Sequence, residues 1–150
     1  MNTTVRLAPD ARDNGLATML ADLVMQNLEA KPHKKRDFAA LEGRISIVAE
    51  DADVALTLCF ERGGTLTIHD GIEGVPDVAI RGSSEVIMAM ANLPLTTRFA
   101  LPVARPSDSE GLKVVRSVVA AVRAGELHVY GMALHPLLVV RLTRVMSIHG

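Results

Sequence analysis

Between Arg44 and Gly82 apolar and polar positions alternate with a period of two, and on both sides of this block the period lengthens to that of a helix. Ile45 and Ile47 predict one strand, Val54, Leu56, Leu58 and Phe60 a second, Leu66 and Ile68 a third, and Val78 with Ile80 a fourth. The clusters between them are turn formers: Glu50-Asp51-Ala52-Asp53, then Arg62-Gly63-Gly64, then a longer loop from Asp70 to Pro76. The block reads as an antiparallel meander with one apolar face.

Before it, residues 1–12 form a polar leader, and Asp13 or Asn14 caps a helix carrying Leu16, Met19, Leu20, Leu23 and Val24 on one side. Asn27 falls inside that apolar arc, where it marks either a fraying end or a side chain in need of a buried partner. Pro32 ends the helix by restricting the residue before it. After the meander, Ser83, Ser84 and Glu85 open a helix through Val86, Ile87, Met90 and Leu93. A proline-rich stretch follows, and Ser107-Asp108-Ser109-Glu110 has the form of a capping box ahead of Leu112, Val115, Val119 and Val122. The chain then returns to a period of two at Leu127 and Val129 and to a helical period from Pro136, with Leu138, Val139, Leu142, Val145 and Met146 on one side. This last strand and helix each carry an apolar face that only the rest of the chain can cover.

Composition narrows the class. A length of 150 residues with 49% hydrophobic content suits one domain, 1–150, able to bury a sizeable core. Sixteen basic and seventeen acidic side chains nearly cancel, so no field favours nucleic acid. Aromatic residues are scarce and methionines number seven, which makes the interior aliphatic and adaptable. The single cysteine, Cys59, excludes an internal disulfide and suits a reducing, cytoplasmic compartment. The run Lys31-Pro32-His33-Lys34-Lys35-Arg36 reads first as a solvated linker; a sharper reading has Lys31, Lys34, Lys35 and Arg36 touch an anionic membrane surface transiently.

No catalytic or metal constellation emerges. His69 and Asp70 are strand neighbours whose side chains point to opposite faces, and His128 and His135 lack the spacing of a zinc site. Gly63-Gly64 joins two strands instead of opening a helix, so it is not a phosphate loop. What remains is apolar volume. No catalytic residue, metal or cofactor is assigned.

Two local patterns carry a resemblance. Gly74-Val-Pro-Asp77-Val-Ala-Ile80-Arg-Gly-Ser-Ser-Glu85, leading into an apolar helix, and Gly125-Glu-Leu-His-Val-Tyr-Gly131, followed by the closing helix, resemble the sterol carrier protein type-two family. Leu41-Glu-Gly-Arg44 with its following strand is also similar to a bacterial branch, the accessory factors of ubiquinone biosynthesis. Two departures stand out: Met132 replaces a small polar residue, and 95–123 is an insertion relative to the family. The resemblance implies an α+β fold, a mixed, largely antiparallel five-stranded sheet covered by about four to five helices, with an apolar tunnel or core that holds sterols, acyl chains or isoprenoid quinones. It implies a non-enzymatic lipid carrier. The residues expected to bind ligand are Leu56, Leu58, Phe60, Leu66, Ile68, Ile80, Met90, Leu138, Leu142 and Met146. Two other readings stay open: an interaction module that dimerises through its last helix, and a small enzyme using Asp70 or Asp77 as a buried base.

Overall fold

The turn formers act where the pattern places them. Asp53 takes a left-handed φ of +50°, a conformation its short polar side chain tolerates, and closes the hairpin between β2 (Gly43–Ala49) and β3 (Val54–Glu61). Gly63 and Gly64, at φ of +103° and +95°, turn β3 into β4 (Thr65–Asp70). In the computed structural model the described residues are 3–91, 120, 123–125, 127–131 and 133–146. Besides these strands they form β1 (Thr4–Leu7), a 3-10 turn at Pro9–Ala11, α1 (Gly15–Ala30), α2 (Lys34–Ala40), β5 (Val78–Gly82), α3 (Ser84–Ala91), β6 (Leu127–Tyr130) and α4 (Pro136–Met146).

The sheet has six strands among the described residues, in the order β1-β4-β3-β2-β5-β6. Five were expected, largely antiparallel. The extra strand, β1, comes from the supposed polar leader: Val5 and Leu7 sit beside Leu66 and Ile68 of β4, in parallel. Four residues on an edge give too short an alternation to stand out. Nor does the meander continue into β5, which crosses to the far side of β2 and pairs with it in parallel, Ile47 beside Ile80. The loop 71–77 allows the crossing. Thr57 Oγ1 donates to the Gly71 carbonyl at 2.8 Å and accepts from the Glu73 amide at 2.9 Å. Thr57 alternates with Leu56 and Leu58, so the loop is tied to the face opposite those leucines, where Thr57 and its cross-strand neighbour Ser46 are both buried.

The leucine face meets the helices. Register sets Leu58 between Ile45 and Ile68, and Leu56 next to Ile47, while Leu20, Val24 and Leu28 of α1 and Leu142 and Val145 of α4 join the same buried cluster. Asn14, not Asp13, caps α1: its Oδ1 accepts from the Ala17 amide, and its Nδ2 reaches the Ala55 carbonyl and the Asp70 carboxylate. Met19 leaves the expected apolar face and is 53% exposed. Ser83 caps α3, and Asp51 reinforces that end from the β2–β3 turn by accepting from the Ser84 amide and hydroxyl, which holds its carboxyl below the usual carboxylate range.

The basic run is not a linker. Lys34 opens α2, whose Phe38 meets Phe60 edge-on with ring centroids 6.1 Å apart. Seven residues with one aromatic show no helical period, which is why the pattern alone missed it. Leu93, the helix expected from Ser107 and nearly all of the insertion 95–123 lie outside the described residues. No helix among those described is long and apolar enough to cross a membrane.

Candidate functional site

Nine of the ten expected ligand-binding residues come together. Leu56, Leu58, Phe60, Leu66, Ile68, Ile80, Leu138, Leu142 and Met146 all belong to one buried cluster between the sheet and α1 and α4. Met90 lies on α3, and its side chain is outside the described residues. The cluster reaches the surface at one end through Leu138. There an open groove of about 340 Å³ runs between the end of α2 and the start of α4, its floor made by the buried Leu41 and Leu138 and its rim by Leu134, Leu137, Arg62 and Arg141. Leu134 and Leu137 are 83% and 63% exposed, so the apolar surface continues outward from the floor to the rim. Sequence periodicity placed Leu138 but not its exposed neighbours, because Leu134 precedes the helix and Leu137 falls on its wet side.

Beside the groove, the three stretches that carry the resemblance meet at Asp77. Its amide donates to the Arg44 carbonyl, and its Oδ2 accepts from the Arg44 amide, each at 2.9 Å. His135 Nε2 stands 3.9 Å from Oδ1. Gly43 and Gly131 complete the junction at φ of +135° and +83°, and a side chain at Gly131 would collide with the Asp77 carbonyl oxygen. The chain is thus pinned where β2, β5 and the turn after β6 converge, which sets α4 at its angle to the sheet.

Electrostatics around the groove are local. Arg141 donates to the Ala40 carbonyl at 3.3 Å, and Arg144 lies 3.5 Å from Asp37, so both cations hold α4 to α2. Lys34 is only 2% exposed. Burial, with the charge of Lys31 adding to it, pulls its pKa down to about 8 against the opposing pull of Asp37. Lys31, Lys35 and Arg36 keep surface exposure, so a basic surface here is built from three of the four expected residues.

Neither carboxylate proposed as a base is buried. Asp70 is exposed and accepts from Asn14, and Asp77 is engaged by Arg44 and His135. Asn27 is the polar side chain whose purpose periodicity left open. It is buried, and its Nδ2 donates to the Val145 and Met146 carbonyls at 3.0 and 2.9 Å, filling acceptors that the end of α4 leaves vacant.

Comparison with known proteins bears on this arrangement. The sequence pattern of the SCP-2 sterol transfer family matches residues 24–101, more than half of the chain. Among solved structures, a ubiquinone synthesis protein, UbiJ-SCP2, is similar in fold, with a TM-score of 0.55 at 15% identity over 87% of this chain and 90% of that one. A crystal structure of sterol carrier protein 2 aligns with a TM-score of 0.47 at 14% identity, over 88% of this chain and 96% of its own. A search of curated proteins finds no match. The family pattern begins within α1 and runs through the four strands and the loop that build the apolar cluster and the Asp77 junction, and the chain belongs to the SCP-2 sterol transfer family.

Proposed function

We propose that the chain is a non-enzymatic carrier that takes up one long apolar molecule by burial, with its entrance at the groove between α2 and α4. The observation that carries this is the continuity of apolar surface from the exposed Leu134 and Leu137 through Leu138 into the core. A volume of about 340 Å³ lies at the small end of ligand sites, which span roughly 300–1,000 Å³, so the groove fits the mouth of a binding site and the aliphatic cluster behind it supplies the rest. Each methylene withdrawn from water contributes about 0.8 kcal/mol, and a chain of about a dozen carbons binds without any specific polar contact. Leu56, Leu58, Phe60, Leu66, Ile68, Ile80, Met90, Leu142 and Met146 are the residues proposed to line it. Sterols, fatty acyl chains and isoprenoid quinones are the candidate ligands, and the fold similarity to a ubiquinone synthesis protein argues for including quinones among the first probes. Lys31, Lys35 and Arg36 would meet anionic headgroups during transfer, and the single cysteine agrees with a cytoplasmic setting.

Native mass spectrometry of gently purified protein, with extraction of whatever copurifies, tests the reading directly. A bound lipid, or saturable binding of fluorescent acyl, sterol or quinone probes, is the expected result. Absence of both overturns it. The exposed Leu134 and Leu137 also favour a second reading, self-association through the start of α4. Sedimentation showing a concentration-dependent dimer that excludes every probe would select that one.

A further inference from the structure

Away from the groove, Asp10 meets two residues far along the chain from it, His69 and Glu73, on the opposite side of the sheet from the leucine face. Asp10 lies in the 3-10 turn, His69 near the end of β4, and Glu73 in the loop that crosses to β5. One ligand atom from each lies within 4.8 Å of the others. We propose that Asp10, His69 and Glu73 bind a borderline divalent cation of the Zn²⁺ class.

Each residue is placed by backbone bonds that do not involve the cluster. The Ala8 amide donates to the Ile68 carbonyl at 2.9 Å, and the buried Ala11 anchors the far side of the turn, which sets Asp10 against β4. His69 is fixed by pairing opposite Thr57. Thr57 in turn holds the Gly71 carbonyl and the Glu73 amide, so the residue that positions His69 across the strands also positions Glu73. Asp70 points the other way, to Asn14, and takes no part.

The chemistry of the set selects the cation. Two carboxylates held this close repel each other in water, and a divalent ion removes that repulsion. An imidazole nitrogen as the third ligand favours Zn²⁺, Co²⁺ or Ni²⁺ over Ca²⁺ and Mg²⁺, which prefer oxygen throughout. Ligands around Zn²⁺ stand roughly 3.3–3.5 Å apart. Closing the present separation takes rotations of the exposed Asp10 and Glu73 side chains and leaves the strand in place. Three protein ligands leave a coordination position to water. The ion would staple the amino-terminal turn, and with it the edge strand β1, to the loop that crosses the sheet.

The test is calorimetric titration of untagged, chelator-treated full-length protein with Zn²⁺, with Co²⁺ absorption as a second readout. One saturable equivalent is expected, together with a Zn²⁺-dependent rise in melting temperature. His69→Ala and Glu73→Gln should each weaken binding at least about ten-fold and abolish that rise. Glu73 is an exposed loop residue, so Glu73→Gln should melt like the parent protein without metal, which keeps the test valid if His69→Ala folds poorly. Lack of saturable binding overturns the proposal, as does a stoichiometric site that neither substitution affects.

Discussion

An alanine at Gly131 would force an L side chain to a φ of +83° and drive its Cβ into the Asp77 carbonyl oxygen, so two penalties coincide at one atom. Gly131→Ala is expected to cost about 2 kcal/mol or more in urea unfolding. Gly63 offers the contrast: its φ is +103°, but nothing stands near its missing Cβ, so Gly63→Ala meets backbone strain alone and should cost less in the same measurement. The motif containing Gly131 was visible in the sequence, yet the reason for the glycine was not, because Asp77 reaches it only through the pairing of β5 with β6. Lys34 teaches the same lesson for charge. Its position in a run of cations suggested solvent, whereas burial lowers its pKa from 10.5 to about 8. A lysine whose folded pKa lies below its unfolded value makes the folded state bind protons less readily, so it costs stability below pH 8 and that cost fades as pH rises toward 10.5. The difference in stability between the parent protein and Lys34→Met should therefore shift in favour of the parent across this window. A flat difference between pH 7 and 10 would show that the lysine is not desolvated.

At the scale of elements, the long apolar alternations were legible and the short or mixed ones were not. Leu56, Leu58 and Phe60 announce β3 by themselves, since eight residues repeat the period several times and these three side chains are all buried on one face. β1 and α2 fall below that length, and each is fixed by residues distant in sequence, β1 by β4 through Val5 and Leu7, and α2 by Phe60 against Phe38 and by Arg141 and Arg144 of α4. The crossing of β5 to the outer side of β2 escaped because alternation fixes which face a residue takes, not which strand lies next to it. Asn27 stands as an exception in the apolar arc of α1, and the structure supplies its reason in the last turn of α4. Removing its side chain leaves two carbonyls without their donor in a buried place. Asn27→Ala is expected to cost about 1–3 kcal/mol. Hydrogen exchange should show the loss concentrated in α4, whereas an even loss across all elements would mean that Asn27 serves only as filler.

For the whole molecule, the proposed carrier role requires an entrance separable from the interior, because a carrier must open one without unfolding the other. Leu142 and Leu137 lie on the same helix yet differ in kind: Leu142 is buried in the cluster that α1 and the sheet also build, while Leu137 projects at the groove rim. Truncating a buried leucine to alanine removes about 2–5 kcal/mol, so Leu142→Ala should weaken folding and lipid retention together. Exchanging an exposed leucine for glutamine stays within about 0.5 kcal/mol of the parent in stability. If apolar chains enter over the Leu134 and Leu137 rim, a Leu134→Gln, Leu137→Gln double variant should melt like the parent and hold a preloaded acyl probe, yet take that probe up more slowly from donor vesicles. The measurement is the time course of fluorescence dequenching as probe leaves the vesicles. Unchanged uptake in the double variant would overturn the proposed entrance at this rim. Loss of equilibrium binding at unchanged stability would instead make the rim part of the binding site.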